Sequence, residues 1–214
     1  MPGLRATLYL SKVVLYWPAC RNPYHWHRLI WRLFPDRPVS NRDYQFSCLD
    51  RRPGRDIPVL LLSMEKPVRL HSPEIALVGE SKPLERLLFK PGQKLRFRLS
   101  ANPTKVLTEE TKEKRKIRVP LIKPEQHEAW LKRHLEGGAT VESIASQNET
   151  PIFFNRKGRG GKIVPVQFEG ILKVVNPELF KEQIFTKYDK EGRYIAGIGP
   201  AKAFGCGFLL VRPI

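Results

Sequence analysis

The chain has 214 residues and a large excess of positive charge: 38 lysines and arginines against 21 aspartates and glutamates, a net charge of +17. Such a charge predicts a polyanionic partner, with nucleic acid as the first candidate. A membrane is disfavoured, because the sequence shows neither a basic amphipathic helix nor an apolar run of spanning length. Cys20, Cys48 and Cys206 are odd in number and widely spaced, which predicts free thiols in a reducing cytoplasm and neither disulfides nor a zinc site.

The first third of the chain predicts a strand followed by a well-marked helix. Residues 8–16 are apolar and β-branched, as is typical of a strand. Asn22 before Pro23 predicts a helix start with Asn22 as the N-cap, and the helix should end near Phe34 because Pro35 follows. Apolar residues at helical spacing predict one buried face. They are Trp26, Leu29, Ile30, Leu33 and Phe34.

The first turn of this helix carries side chains suited to phosphate chemistry. Tyr24, His27 and Arg28 stand at positions i, i+3 and i+4, so a phenol, an imidazole and a guanidinium share one flank. A helix N-terminus also favours a bound phosphate. The same pattern is compatible with an ordinary surface histidine. His25, two positions before His27, points to another side, so the two would not chelate one metal.

The elements that follow complete a recognisable order. Residues 43–50 and 57–64 predict strands, residues 71–80 a short helix or a loop, and residues 84–89 a short strand. The resulting order, β-α-β-β-(α)-β, is that of a ferredoxin-like domain. A Lys-Pro-Gly-Gln sequence at 90–93 predicts its boundary.

The second half repeats this order. We therefore predict an α+β protein with two tandem ferredoxin-like (RRM-like) βαββαβ domains, over residues 1–90 and 94–214. Lysines and arginines make up five of the seven residues at 112–118, which predicts a solvated loop, and residues 186–196 predict a polar one. The helix at 124–136 should have Ala129, Trp130 and Leu135 at or near its buried face. The remaining predicted elements are strands at 94–106, 139–145, 163–175 and 208–211 and a helix at 176–185.

A basic segment separates two apolar ones near residue 160. Residues 156–162 contain four cations and three glycines, and apolar residues flank them on both sides. This pattern predicts a β-hairpin with a basic tip, and a two-stranded ribbon can enter a groove of a nucleic-acid duplex. A disordered, merely solubilising loop is the alternative.

A glycine-rich loop spans residues 197–207, with two Gly-x-Gly pairs around Lys202. Glycine permits positive φ, and the amides of such a loop can point at an anion. The loop lacks the Gly-Lys-Ser/Thr element of a nucleoside-triphosphate loop, and no helix follows it as in dinucleotide-binding folds. A tight, close-packed turn before a buried strand is the alternative.

Six stretches in register resemble the CRISPR RNA-processing endoribonucleases of type I-E systems, the family of the CasE subunit of Cascade. They are residues 9–13, 31–38, 97–105, 118–121, 168–170 and 197–207. The resemblance implies two tandem ferredoxin-like domains and cleavage of the CRISPR repeat RNA at the base of its stem-loop. It also implies that no metal or other cofactor takes part, and that the enzyme stays on its product and joins other Cascade subunits.

The resemblance also assigns site residues. His27 takes the catalytic histidine role and Tyr24 a supporting one, while Arg32 falls where some members carry a catalytic-site lysine. The other predicted RNA contacts are Arg28, the hairpin cations Arg156, Lys157, Arg159 and Lys162, and, in the glycine loop, Gly199, Lys202, Gly205 and Gly207.

The chemistry follows from the substrate, because RNA carries its own nucleophile, the 2′-OH. A histidine near its ordinary pKa can move protons as general base or general acid, and the sequence leaves open which role His27 takes. The expected products are a 2′,3′-cyclic phosphate and a 5′-OH. Two alternatives remain: a non-catalytic module for structured RNA, and a protein that binds duplex DNA.

Overall fold

The structure, a computed structural model, describes residues 7–35, 43–84, 88–108, 116–185 and 197–214, so the predicted loop at 186–196 lies outside it. The strands are β1 (Leu8–Leu15), β2 (Tyr44–Cys48), β3 (Ile57–Ser63), β4 (Ile75–Leu84), β5 (Lys94–Ala101), β6 (Thr104–Thr108), β7 (Lys116–Pro120), β8 (Ala139–Asn148), β9 (Ile152–Arg156), β10 (Arg159–Ile163), β11 (Val166–Val174) and β12 (Leu210–Pro213). The α-helices are α1 (Trp17–Cys20), α2 (Trp26–Trp31), α3 (Pro124–Leu135) and α4 (Pro177–Ile184). Pro23–His25 and Lys202–Phe204 form short 3₁₀ turns.

Two four-stranded antiparallel sheets form the body of the protein. Their strand orders are β2-β3-β1-β4 and β12-β5-β11-β8. In each sheet, the strand that comes first in the chain, β1 or β5, lies between the third and the fourth strands of that sheet. This is the ferredoxin-like arrangement. The predicted α+β fold of two ferredoxin-like domains is therefore confirmed. The domain boundary at residues 90–94 stays a prediction, and the two sheets lie on either side of it.

Helix α2 packs on the first sheet with the face that the sequence predicts. All five apolar residues of the predicted stripe are buried, and they share one core cluster with Val13 and Leu15 of β1. The helix ends at Trp31, three residues earlier than predicted. Leu33 and Phe34 reach the same core from the turn that follows.

Helix α3 shows one error in the predicted buried face. Trp130 and Leu135 are buried as predicted, but Ala129 is exposed. His127 is buried instead, with only 2% of its surface exposed, and its Nε2 lies 3.0 Å from the carbonyl oxygen of Leu121. Positions 127, 130 and 135 fall on one side of a 3.6-residue helix, and position 129 falls on another.

The prediction of a helix or loop at residues 71–80 holds as a loop at 71–74 and is wrong from Ile75 onward. Residues from Ile75 onward form β4, which pairs with β1 and buries Ile75 and Leu77. Gly79 and Pro83 weaken the local strand signal, whereas pairing with β1 supplies the hydrogen bonds. Leu88 and Phe89 lie outside any strand, so the predicted strand at 84–89 is also wrong for its described residues beyond β4.

The predicted solvated loop at 112–118 is wrong where the structure describes it. Residues 116–118 belong to β7, which pairs with β6 to form a hairpin inserted after β5. The high charge of this segment predicts a loop, but pairing with β6 makes it a strand.

Each domain contributes buried side chains to the core of the other. Ile152 and Ile163, at the root of the β9–β10 hairpin of the second domain, are buried in the core of the first. Leu8 and Leu62 of the first domain are buried in the core of the second. The hairpin is therefore anchored to both domains. Among the helices that the structure describes, none is long and apolar enough to cross a membrane.

Candidate active site

The turn before α2 is held at both ends. The side-chain oxygen of Asn22 accepts a hydrogen bond from the backbone amide of Tyr24 at 3.1 Å, so the predicted N-cap is confirmed. The phenol of Tyr44, in β2, donates to the backbone carbonyl of His27 at 2.8 Å. Trp26 donates its indole N–H to the carbonyl of Cys20 at 2.8 Å. These bonds fix the backbone that carries Tyr24 and His27.

Tyr24 and His27 lie side by side as their spacing predicts. Their ring centroids are 5.6 Å apart in an edge-to-face arrangement, and both side chains are half-buried. Arg28 and His25 are exposed. An imidazole beside a phenol and close to a guanidinium provides groups that can move protons and bind a phosphate.

The predicted basic hairpin is confirmed, and its strand β9 contacts the Tyr24 turn. Asn22 donates its amide to the carbonyl of Asn155 at 2.9 Å, and the backbone amide of Asn155 lies 3.3 Å from the side-chain oxygen of Asn22. Phe154 stacks on Tyr24 with centroids 6.4 Å apart, and the guanidinium carbon of Arg156 lies 5.7 Å from the Tyr24 centroid. Residues 152–154 are marked in the sequence only as an apolar flank of the hairpin, and no local signal predicts this junction.

The hairpin tip projects its cations into solvent. Lys157 and Gly158 both have positive φ, 50° and 78°, as a two-residue turn of the I′ class requires. The predicted contact residues Arg156, Lys157, Arg159 and Lys162 are all exposed. They form a charged ribbon that begins beside Tyr24.

The glycine loop also contacts the turn that carries Tyr24. Its Lys202–Phe204 turn contacts both α2 and the Pro23–His25 turn, and Phe204 packs against Phe154 with centroids 4.6 Å apart. Three parts of the chain that are far apart in sequence therefore meet around Tyr24 and His27.

The glycines of this loop pack closely against protein. All four have positive φ, a conformation that glycine permits. Gly205 and Gly207 are buried, whereas Gly199 and Lys202 are half-buried. The geometry thus agrees with a close-packed turn at the two buried glycines, and contact between this loop and RNA stays a prediction.

Gly199→Ala should destabilise the protein by roughly 2–4 kcal/mol, because a left-handed backbone and a steric overlap combine. A Cβ there would lie 2.5 Å from the buried Trp130 ring. The matched control is Gly54→Ala, since Gly54 has a similar φ of +81° and no atom within 4 Å of the added carbon. Urea unfolding of both variants measures the difference, and equal losses would contradict the close-packing account.

Arg32 occupies a different position. It pairs with Glu74, about half of each side chain being exposed, and its Nη2 lies 3.5 Å from the hydroxyl of Ser72. It lies five positions after His27, which corresponds to roughly 140° around a helix. The catalytic role suggested for Arg32 stays a prediction, and in this structure Glu74 offsets its charge.

A second junction between the domains was not visible in the sequence. Arg51, just after β2, places its Nη2 2.5 Å from the carboxylate of Glu149, which follows β8. Ser100 of β5 donates to the same carboxylate at 2.6 Å. The carbonyl of Ser100 in turn accepts from the amide of Gly207, at 2.7 Å. This network links both domains to the glycine loop.

Glu149→Ala should lower the free energy of unfolding by roughly 2–3 kcal/mol, because it leaves the largely buried guanidinium of Arg51 without its carboxylate. The surface pair Lys132–Glu128 provides the control: about half of each side chain is exposed, so Glu128→Ala should cost less than about 0.5 kcal/mol. Chemical denaturation measures both. Similar small losses would show that the inter-domain pair contributes little.

Cys20, Cys48 and Cys206 are free thiols, as predicted, and the structure shows that all three are buried. Burial raises the pKa of Cys20 and of Cys206 to about 11, so both stay protonated at neutral pH. Within the described ranges, no three His, Cys, Asp or Glu side chains cluster as metal ligands would.

Comparison with known proteins agrees with this arrangement. A family model described as "CRISPR associated protein" matches residues 8–213. The chain is 36% identical to the CRISPR system Cascade subunit CasE of Escherichia coli K12, covering 97% of this chain and all of that one. It is 33% identical to the CRISPR-associated endoribonuclease Cse3 of Thermus thermophilus, over 96% of this chain and all of the relative.

The fold comparison gives the same result. The structure of Thermus thermophilus Cse3 bound to an RNA representing a pre-cleavage complex superposes with a TM-score of 0.74 at 30% identity, covering 97% of this chain and all of that one. A family model that spans nearly the whole chain, together with full-length relatives above 30% identity, is sufficient for assignment. The chain belongs to the CRISPR-associated protein family that includes CasE and Cse3.

Proposed function

We propose that this protein is an endoribonuclease that binds the repeat stem-loop of precursor CRISPR RNA, cleaves it at the base of the stem, and stays bound as a subunit of a cytoplasmic Cascade complex. The observation that carries the proposal is the junction of the Tyr24–His27 pair with the basic hairpin. The relatives support the rest of the proposal: one is a Cascade subunit, one is an endoribonuclease, and one structure contains a bound RNA.

The reaction we propose is an internal transesterification. The 2′-oxygen loses its proton and attacks the adjacent phosphorus, the bond to the 5′-oxygen breaks, and that oxygen gains a proton. His27 serves as general base or general acid in these transfers, and Tyr24 orients the phosphate or supplies a proton. Arg28 and the neighbouring Arg156 stabilise the extra negative charge of the pentacoordinate phosphorane. The products are a 2′,3′-cyclic phosphate and a 5′-OH.

Binding and cleavage use different parts of the same surface. The hairpin cations bind phosphates along the stem, which positions the stem without reading much of its sequence. Because the hairpin is hydrogen-bonded to Asn22, a stem held by the hairpin ends near Tyr24 and His27. The distance between the hairpin contacts on the stem and the Tyr24–His27 pair thus sets the cleavage position at the base of the stem.

The test uses the repeat stem-loop RNA of the CRISPR array in the source genome, incubated with the protein in EDTA. A second RNA differs only by a 2′-deoxy at the nucleotide before the scissile phosphate. We expect cleavage of the first RNA and binding without cleavage of the second. Binding of both without cleavage would support a non-catalytic RNA module, and a preference for duplex DNA would contradict RNA processing altogether.

A further inference from the structure

Strand β9 presents two adjacent aromatic rings to opposite sides, because successive side chains of a strand alternate. Phe154 stacks on Tyr24, whereas Phe153 is 65% exposed and lines a groove on the other side of the junction. The ammonium of Lys162 lies 5.6 Å from the Phe153 ring centroid. An exposed aromatic face beside a cation provides a surface on which a base can stack and a charge that can bind a phosphate.

The groove runs between the two domains and has a volume of about 680 Å³, within the range of sites that hold small molecules. Its walls include four arginines and two carboxylates. Asp50 accepts a hydrogen bond from Arg52 Nε, and Glu149 is paired with Arg51, so these four charges largely cancel. Arg21 and Arg98 are the excess positive charges of the groove lining. Side-chain amides that can reach base edges also line it, namely Gln147, Asn148 and Gln167.

We propose that this groove binds unpaired nucleotides of the RNA strand that flanks the cleaved stem, with one base stacked on Phe153. An aromatic face accepts any base, and arginines bind the connecting phosphates, as in other sites for single-stranded nucleic acid. The groove borders the candidate active site, because Arg21 and Pro23 line it and Tyr24 is the next residue of the chain. Its volume suits a nucleotide and is too small for a duplex.

This inference rests on the proposed function and adds to it. If the hairpin holds the stem and Tyr24 and His27 face its base, single-stranded RNA emerges at the junction. Strand β9 separates the groove from Tyr24, so the flanking RNA needs to pass only the Asn22–Asn155 contact to enter it. The 5′ and 3′ flanks have the same chemistry, and the experiment distinguishes them.

The experiment measures the gain in affinity from the flank. Three uncleavable, 2′-deoxy-substituted RNAs are compared by filter binding: the stem-loop alone, the stem-loop with six added 5′ nucleotides, and the stem-loop with six added 3′ nucleotides. For the wild-type protein, one flank should tighten binding by roughly tenfold, as expected for one stacked base. In Phe153→Ala this ratio should fall to about one, whereas Phe153→Trp should retain it.

The control variant is Ile122→Ala, because Ile122 is 70% exposed and does not line the groove. Its ratio should equal that of the wild type. Equal binding of all three RNAs by the wild type, or an unchanged ratio in Phe153→Ala, would overturn the inference while the stem-loop is still bound, and would favour a protein partner for the groove. Failure of the wild type to bind even the stem-loop would overturn the proposed function and this inference with it.

Discussion

Replacing His27 by alanine is expected to lower the rate constant of RNA cleavage by a factor of about 10² to 10⁴, the usual contribution of a general acid or base. The affinity for the uncleaved stem-loop should change little, because the hairpin cations supply most of the binding. Single-turnover cleavage with protein in excess measures the rate constant, and filter binding of the 2′-deoxy RNA measures affinity.

His25 provides a matched control within the same turn. It is exposed and only two residues from His27, so His25→Ala removes an imidazole from nearly the same stretch of backbone. That variant should cleave at close to the wild-type rate. A His27→Ala protein that cuts as fast as the His25→Ala protein would remove His27 from the mechanism.

Replacing Arg156, Lys157 and Arg159 together by alanine is expected to weaken stem-loop binding on the order of 100-fold at low salt, because three charge-assisted phosphate contacts are lost. The slope of log affinity against log salt should become shallower by roughly 2 to 3, about one counterion for each lost contact. Fluorescence anisotropy at four or five salt concentrations measures both quantities.

The comparison variant removes the same charge elsewhere. Lys66, Lys82 and Lys90 are exposed and lie outside the hairpin. Their triple alanine variant should keep the wild-type salt slope to within about one unit. If both triple variants lose affinity and slope equally, the +17 net charge attracts RNA diffusely, and the hairpin has no special role.

Local signals in the sequence were sufficient for the parts of the site that lie within one segment. The Asn22–Pro23 helix start placed Tyr24 and His27 on one flank of the first turn. The basic segment between two apolar ones predicted the hairpin. The sequence did not predict contacts between distant segments. Phe154, Asn155 and the Arg51–Glu149 pair acquire their roles only when the domains pack.

The fold errors have a related origin, because pairing between strands decided the structure. Strand β4 pairs with β1, far earlier in the chain, and β7 pairs with the nearby β6. The composition of these segments, with Gly79, Pro83 and many lysines, is typical of loops. The order of the other elements was strong enough to predict two ferredoxin-like domains. The glycine loop shows the same limit. The pattern predicted either an anion-binding loop or a close-packed turn, and whether the glycines face a ligand or other residues depends on the tertiary structure.

The root of the basic hairpin limits how this protein can be divided. Ile152 and Ile163 complete the interior of the half that carries His27, so a fragment ending near residue 90 would lack two of its own core side chains. The complementary fragment would expose those isoleucines to water and should tend to aggregate. Recombination between relatives at the domain boundary faces the same obstacle, because the incoming hairpin must fit a cavity shaped by another parent.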